Sequence, residues 1–177
     1  WAMHAGSVVH HWLRIIAEEG LEAFDAARLH ALRPAFRREL VYLGTESKEL
    51  ERAAHRVVEA LEAAIRTEKG RWILAADHAE AECELPLTIV DGGRFRQLII
   101  HRTFVTADGH RWLIDYKTSA HEGSDLRAFL RVESERHREQ LRRYRDALTA
   151  IGTQPVRAAL YFPVLSVFQE IDLGSAP

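Results

Sequence analysis

The 177 residues include one cysteine, Cys83, one methionine and three lysines. A single thiol excludes an internal disulfide framework, a cysteine zinc site and an iron–sulfur cluster; a reducing, cytoplasmic setting is expected. No apolar run is long enough to span a bilayer, and no basic stretch leading into an apolar core opens the chain as in a signal peptide. No membrane partner is expected. Internal repeats, low-complexity tracts and a long dividing linker are all missing. The net charge of −2 supplies no bulk attraction for nucleic acid, so any such role needs a local basic patch. The chain opens at Trp1 without an initiator methionine and stops after "DLGSAP". It reads as a piece cut from a longer protein.

Ordinary apolar content (47%) and length suffice for one domain with a real core. The first third is helical. "GSVVHHWLRIIAEEG" carries Val8, Val9, Trp12, Leu13, Ile15 and Ile16 on one broad face, with Ser7 as N-cap and Gly20 as C-cap. A second helix is expected through "LEAFDAARLHAL", and Pro34 suits the first turn of a third. A long amphipathic helix is expected from Ser47 to Glu68, its stripe being Leu50, Ala54, Val57, Val58, Leu61 and Ile65. The pattern then changes to alternation. "ECELPLTIV", "RFRQLIIHRTFV" and "RWLIDYKTS" read as a three-strand antiparallel meander turning at "DGG" and "TADGH". A charged helix from Ser124 to Ala150 and two strands, "VRAALYFP" and "VFQEIDL", complete the chain. The expected fold is α/β (α+β): a sheet of about five strands with helices before it and one long helix across it. Residues 1–70 are its helical part and 71–177 its sheet core, in a single domain over 1–177.

The third strand carries the chemistry. Asp115 and Lys117 sit two apart in an otherwise apolar stretch, so alternation points both the same way. The basic residues are 21 arginines against Lys48, Lys69 and Lys117 alone, which sets a lysine in such a strand apart. A carboxylate and a lysine on one strand suit metal-assisted hydrolysis: one holds a divalent cation, the other serves the attacking water and the phosphate charge. The plainer readings are a lysine reaching out to solvent and a cross-strand ion pair of little energetic weight. An odd-numbered loop centred near Asp108 places His101 opposite Asp115. A two-residue Asp-Gly loop moves His101 to the other face, and the sequence leaves both registers open.

Five ordered motifs add a resemblance: "GSVVH" ending at His10, "ELPL" at 84–87, "IHR" at 100–102, "DYK" at 115–117 and "QLRRY" at 140–144. Together they resemble the "GxxxH", "ExPF/L", "IDR", "DYK" and "QLxxY" series of PD-(D/E)XK nucleases. The likeness is to the nuclease domain ending UvrD-like, RecB- and AddA-type helicase-nucleases. The resemblance implies a restriction-endonuclease-like core with a mixed sheet, excised from the C-terminus of a larger bacterial helicase. It implies Mg2+ (or Mn2+) as cofactor, with ATP bound only in the absent helicase region, since no "GxxxxGK[ST]" occurs here. The implied partners are DNA, single-stranded or at processed duplex ends, the helicase domain of the same chain, and a second helicase-nuclease subunit. By the same resemblance His10, Asp115 and the Tyr116 carbonyl are metal ligands and Lys117 is the catalytic lysine. Gln140 and Tyr144, four apart on one helical face, lie near the DNA and the reacting centre, and Glu84 is structural or supporting. The spacing from Gly6 favours His10, although neighbouring His11 is the alternative.

The departure is at position 101, where the family's "IDR" aspartate is replaced by histidine. Magnesium prefers hard oxygen ligands, and an imidazole brings no negative charge. Three readings follow. Cleavage is strongly reduced or lost, leaving a nuclease fold that binds DNA or braces the helicase. Or His10, His101 and Asp115 form a two-histidine, one-carboxylate set suited to Mn, Fe or Zn. Or another carboxylate substitutes, although Asp91 and Asp108 fall in turns. Phosphate contacts are expected from a few of Arg127, Arg131, Arg136, Arg138, Arg142, Arg143 and Arg145, most of which read as ion-pair partners on a solvated helix.

Overall fold

The computed structural model describes residues 1–119, 121 and 123–174. Helix α1 spans Ala2–Glu19 and starts earlier than the expected Ser7 cap. Ser7 lies inside it, its hydroxyl donating to the Met3 carbonyl at 3.3 Å. Val8, Val9, Trp12, Leu13 and Ile16 are buried, and the chain leaves the helix at Gly20, whose φ of 96° favours a residue without a side chain. The second expected helix is broken. A 3-10 turn, Leu21–Ala23, leads to extended Phe24, and Asp25 then caps α2 (Ala26–Ala31) by accepting from the Arg28 amide at 2.7 Å.

Helix α3 (Arg33–Tyr42) carries Pro34 in its first turn, as expected. The long helix anticipated over 47–68 is shorter, α4 (Leu50–Arg66), and all six stripe residues are buried. It stops because the Thr67 hydroxyl donates to the Ala63 carbonyl at 2.9 Å and accepts from the Gly70 amide at 3.3 Å, capping a separate α5 (Glu68–Leu74). Helix α4 packs against α1 and α3, and Trp12 meets Phe36 edge-on at 5.0 Å.

Five strands follow: β1 (Ala79–Asp91), β2 (Arg94–Val105), β3 (Arg111–Tyr116), β4 (Val156–Phe162) and β5 (Val167–Ile171). They form one mixed sheet in the order β1-β2-β3-β4-β5. The expected meander is present, since β1–β2 and β2–β3 are antiparallel. Gly92 and Gly93 close the first hairpin with φ of 57° and 76°, the sign a two-residue hairpin turn requires. Helix α6 (Leu126–Ile151), capped by Asp125 on the Ala128 amide at 2.8 Å, links β3 to β4. Its buried Leu141 and Leu148 belong to the same core as Ile100, Phe104, Leu113, Ile114, Leu160 and Tyr161. This α/β architecture, with its helical N-terminal region, agrees with the restriction-endonuclease-like core that the motifs imply.

The chain forms two compact units. The first is Trp1–Ala76 with Tyr116–Ala120 and Phe162–Val167; the second is Asp77–Asp115, His121–Tyr161 and Phe168–Pro177. Among the described residues no helix is long and apolar enough to cross a membrane.

Candidate active site

The β2–β3 hairpin decides which residues meet. Its loop is five residues, Thr106–His110, closed by the Thr106 amide on the His110 carbonyl and the Gly109 amide on the Thr106 carbonyl, both at 2.9 Å. Gly109 holds a φ of 82° there. The pairs Arg102↔Ile114 and Thr103↔Leu113 therefore carry His101 opposite Asp115. The odd-loop register is the one adopted. His101 Nδ1 lies 2.8 Å from Asp115 Oδ1. The carboxylate side chain is 1% exposed and the imidazole 19%, so the ring is the outer member of the pair. A carboxylate buried this deeply needs a donor or a counter-charge beside it, and the imidazole stands within ion-pair distance of it.

The neighbouring strand adds a third member. Cys83↔Arg102 and Leu85↔Ile100 place Glu84 of β1 opposite His101, so Glu84, His101 and Asp115 form one row across three strands. Glu84 has a φ of 49°, left-handed backbone that costs a non-glycine residue about 1–2 kcal/mol. Its Oε1 is buried with no hydrogen-bond partner among the described residues. The sequence reading of Glu84 was structural or supporting; its place in this row was hard to see because it depends on the register of two hairpins at once.

Helix α6 brings the fourth group. Gln140 Nε2 donates to the Tyr144 hydroxyl at 2.8 Å, the expected i,i+4 contact. Burial pushes the Tyr144 phenol up from its ordinary pKa, and the negative charges of Asp115 and Glu84 push it the same way, while the Gln140 hydrogen bond opposes them. Tyr144 therefore keeps its proton, and with a lone pair taken by the Gln140 amide its O–H is a donor held in the field of two carboxylates.

The remaining predicted residues lie in the first unit. The His10 ring meets the Tyr116 ring edge-on, with centroids 5.9 Å apart. His11 is exposed and lies 3.0 Å from Glu39, so His10 is the histidine turned to the end of β3. The close passage of α1 depends on Gly6: a Cβ there would stand 2.6 Å from Thr118 Oγ1. Strand β3 ends at Tyr116 rather than Ser119, so half-buried Lys117 is the first residue beyond it. The structure thus gathers His101, Asp115, Glu84, Gln140 and Tyr144 in the second unit, and His10, Tyr116 and Lys117 in the first.

The α6 arginines mostly pair along the helix. Arg136 meets Glu133 (3.1 Å), Arg138 meets Glu135 (2.8 Å), Arg142 and Arg143 share Glu139 (3.8 and 3.7 Å), and buried Arg145 meets Asp146 (2.8 Å). Arg127 and Arg131 are exposed.

The residues present do not fit the metal that the motifs imply. Position 101 contributes an imidazole in place of a hard oxygen, and that imidazole stands 2.8 Å from the very carboxylate expected to hold the ion. Among the described residues no three His, Cys, Asp or Glu side chains converge as a metal-binding group. Compared with known families, residues 2–172 match the PD-(D/E)XK nuclease superfamily. No curated protein matches the chain.

Proposed function

Since the chain belongs to the PD-(D/E)XK nuclease superfamily, whose members are nucleases generally dependent on divalent metals, we propose that it is a DNA-directed domain of that kind from a bacterial, cytoplasmic RecB/AddA-type helicase-nuclease, with cleavage strongly reduced by His101. In this reading it serves double-strand-break processing, beside a helicase region of the same chain and a second subunit. Its ligand is single-stranded DNA or a processed duplex end. Support for the subfamily comes from the order and spacing of "GSVVH", "ELPL", "IHR", "DYK" and "QLRRY".

The observation that carries the reduced activity is the 2.8 Å contact between His101 and Asp115. Hydrolysis of a phosphodiester needs positive charge and oriented donors where the transition state gathers negative charge. Lys117 supplies one such charge two residues beyond Asp115. Gln140 and protonated Tyr144 supply orientation on α6. His10 is the ligand assigned to the helix. What the site lacks is a carboxylate at position 101, where an imidazole lies against Asp115 instead.

The test is cleavage of a single-stranded oligonucleotide with Mg2+ and with Mn2+, comparing this chain with His101→Asp. The native chain is expected to stay near background with Mg2+. His101→Asp is expected to gain on the order of 100-fold, the scale of one electrostatic partner of a transition state. Adding Lys117→Ala or Asp115→Ala should remove the gain. Equal cleavage by both proteins would show that His101 is no lesion. Inertness of both with either metal would show that the domain is not a self-sufficient nuclease. Cleavage by the native chain with Mn2+ alone would favour the two-histidine ligand set.

A further inference from the structure

We propose that the His101 imidazole occupies the station beside Asp115 that a divalent cation would hold, so that the domain folds, and binds DNA phosphates, independently of metal. The folding half rests on the geometry alone; the binding half also rests on the DNA reading above.

Asp115 is 1% exposed near the end of an apolar strand, between Ile114 and Tyr116. With aspartate at 101, the same register would face two carboxylates across one strand pair, and like charges so close stay ionised only with a cation between them. Histidine removes that need. Its ring reaches the carboxylate at hydrogen-bond distance, in a position fixed by the five-residue loop. It also takes one negative charge out of the row that a phosphate would approach. The row then holds two carboxylates, Glu84 and Asp115. The imidazole lies against one of them, and the phenol beside both keeps its proton. An acidic cluster repels DNA until metal neutralises it; with histidine at 101 this row has one carboxylate fewer to neutralise.

Two measurements on the same proteins test the proposal. In thermal unfolding, the native chain should melt at one temperature in chelator and in excess Mn2+. His101→Asp should melt lower in chelator and rise with Mn2+. His101→Asn, which keeps an amide donor for Asp115 and adds no charge, should resemble the native chain and decides the matter if the aspartate variant does not fold. A native melting temperature that climbs with Mn2+ overturns the proposal. In fluorescence anisotropy with a labelled single-stranded oligonucleotide, the native affinity in chelator should lie within about twofold of that in Ca2+. The affinity of His101→Asp should fall in chelator and recover with Ca2+. A tenfold loss for the native chain in chelator overturns the binding half. Absence of DNA binding under every condition overturns the DNA reading, while the melting curves still judge the role of His101.

Discussion

A methyl group on residue 6 would collide with a neighbour. The ideal Cβ lies 2.6 Å from Thr118 Oγ1 and 3.6 Å from Thr118 Cβ. In an open helix Gly→Ala stabilises by up to about 1 kcal/mol; here overpacking of about 1–3 kcal/mol opposes it. Gly6→Ala should therefore lower the urea midpoint. Thr118→Ala should restore it, because the Oγ1 is the offending atom and the Cβ behind it is at ordinary contact distance. A double variant as weak as Gly6→Ala alone would mean that the glycine serves something other than this passage. The sequence showed Gly6 and His10 as a spaced pair, but the reason for the glycine lay 112 positions away in the fold. Position 101 had the same difficulty. Its meeting with Asp115 depends on whether "TADGH" turns in two residues or five, and Thr106 settles this through its bonds with His110 and Gly109.

Elements were easier to read than their ends. The turn motifs "DGG" and "TADGH" on either side located β2 to the residue. Helix ends failed where a second cap competed: Thr67 split one amphipathic run into α4 and α5, and Asp25 displaced the start of α2. On α6 the pairing of Gln140 with Tyr144 followed from helical spacing, but the carboxylates beside Tyr144 come from β1 and β3 and no single element reveals them. That neighbourhood gives α6 a measurable pH signature. The folded phenol titrates above the unfolded value of about 10. The protonated form is thus favoured by folding, so the associated stability is fully present below pH ~10 and is lost as pH rises through the folded pKa. Tyr144→Phe should cost about 1 kcal/mol at neutral pH, from the orphaned Gln140 donor. It should also flatten the loss of stability above pH 10. An alkaline unfolding curve of unchanged steepness in Tyr144→Phe would remove Tyr144 as its source.

At the scale of the whole molecule, a net charge of −2 means that DNA affinity must come from a few uncommitted cations rather than from bulk attraction. On the DNA reading proposed above, α6 offers two candidates. Arg136, Arg138, Arg142, Arg143 and Arg145 each face a carboxylate within 4 Å, and releasing them to a phosphate would sacrifice those contacts. Arg127 and Arg131, one helical turn apart and exposed, have no ion pair with any described residue and can meet successive phosphates without that loss. Each phosphate contact to single-stranded DNA releases counterions and contributes about 0.7 to the slope of log affinity against log salt. Replacing both arginines by alanine should therefore reduce that slope by about 1.4 and weaken binding about equally for all oligonucleotide sequences. Replacing the Glu139-bound pair, Arg142 and Arg143, should change the slope far less, although it removes the same formal charge. The two double variants together separate local contact from net charge. Equal slope changes would mean that only total charge matters, and no change in either would place the phosphate contacts elsewhere than on α6.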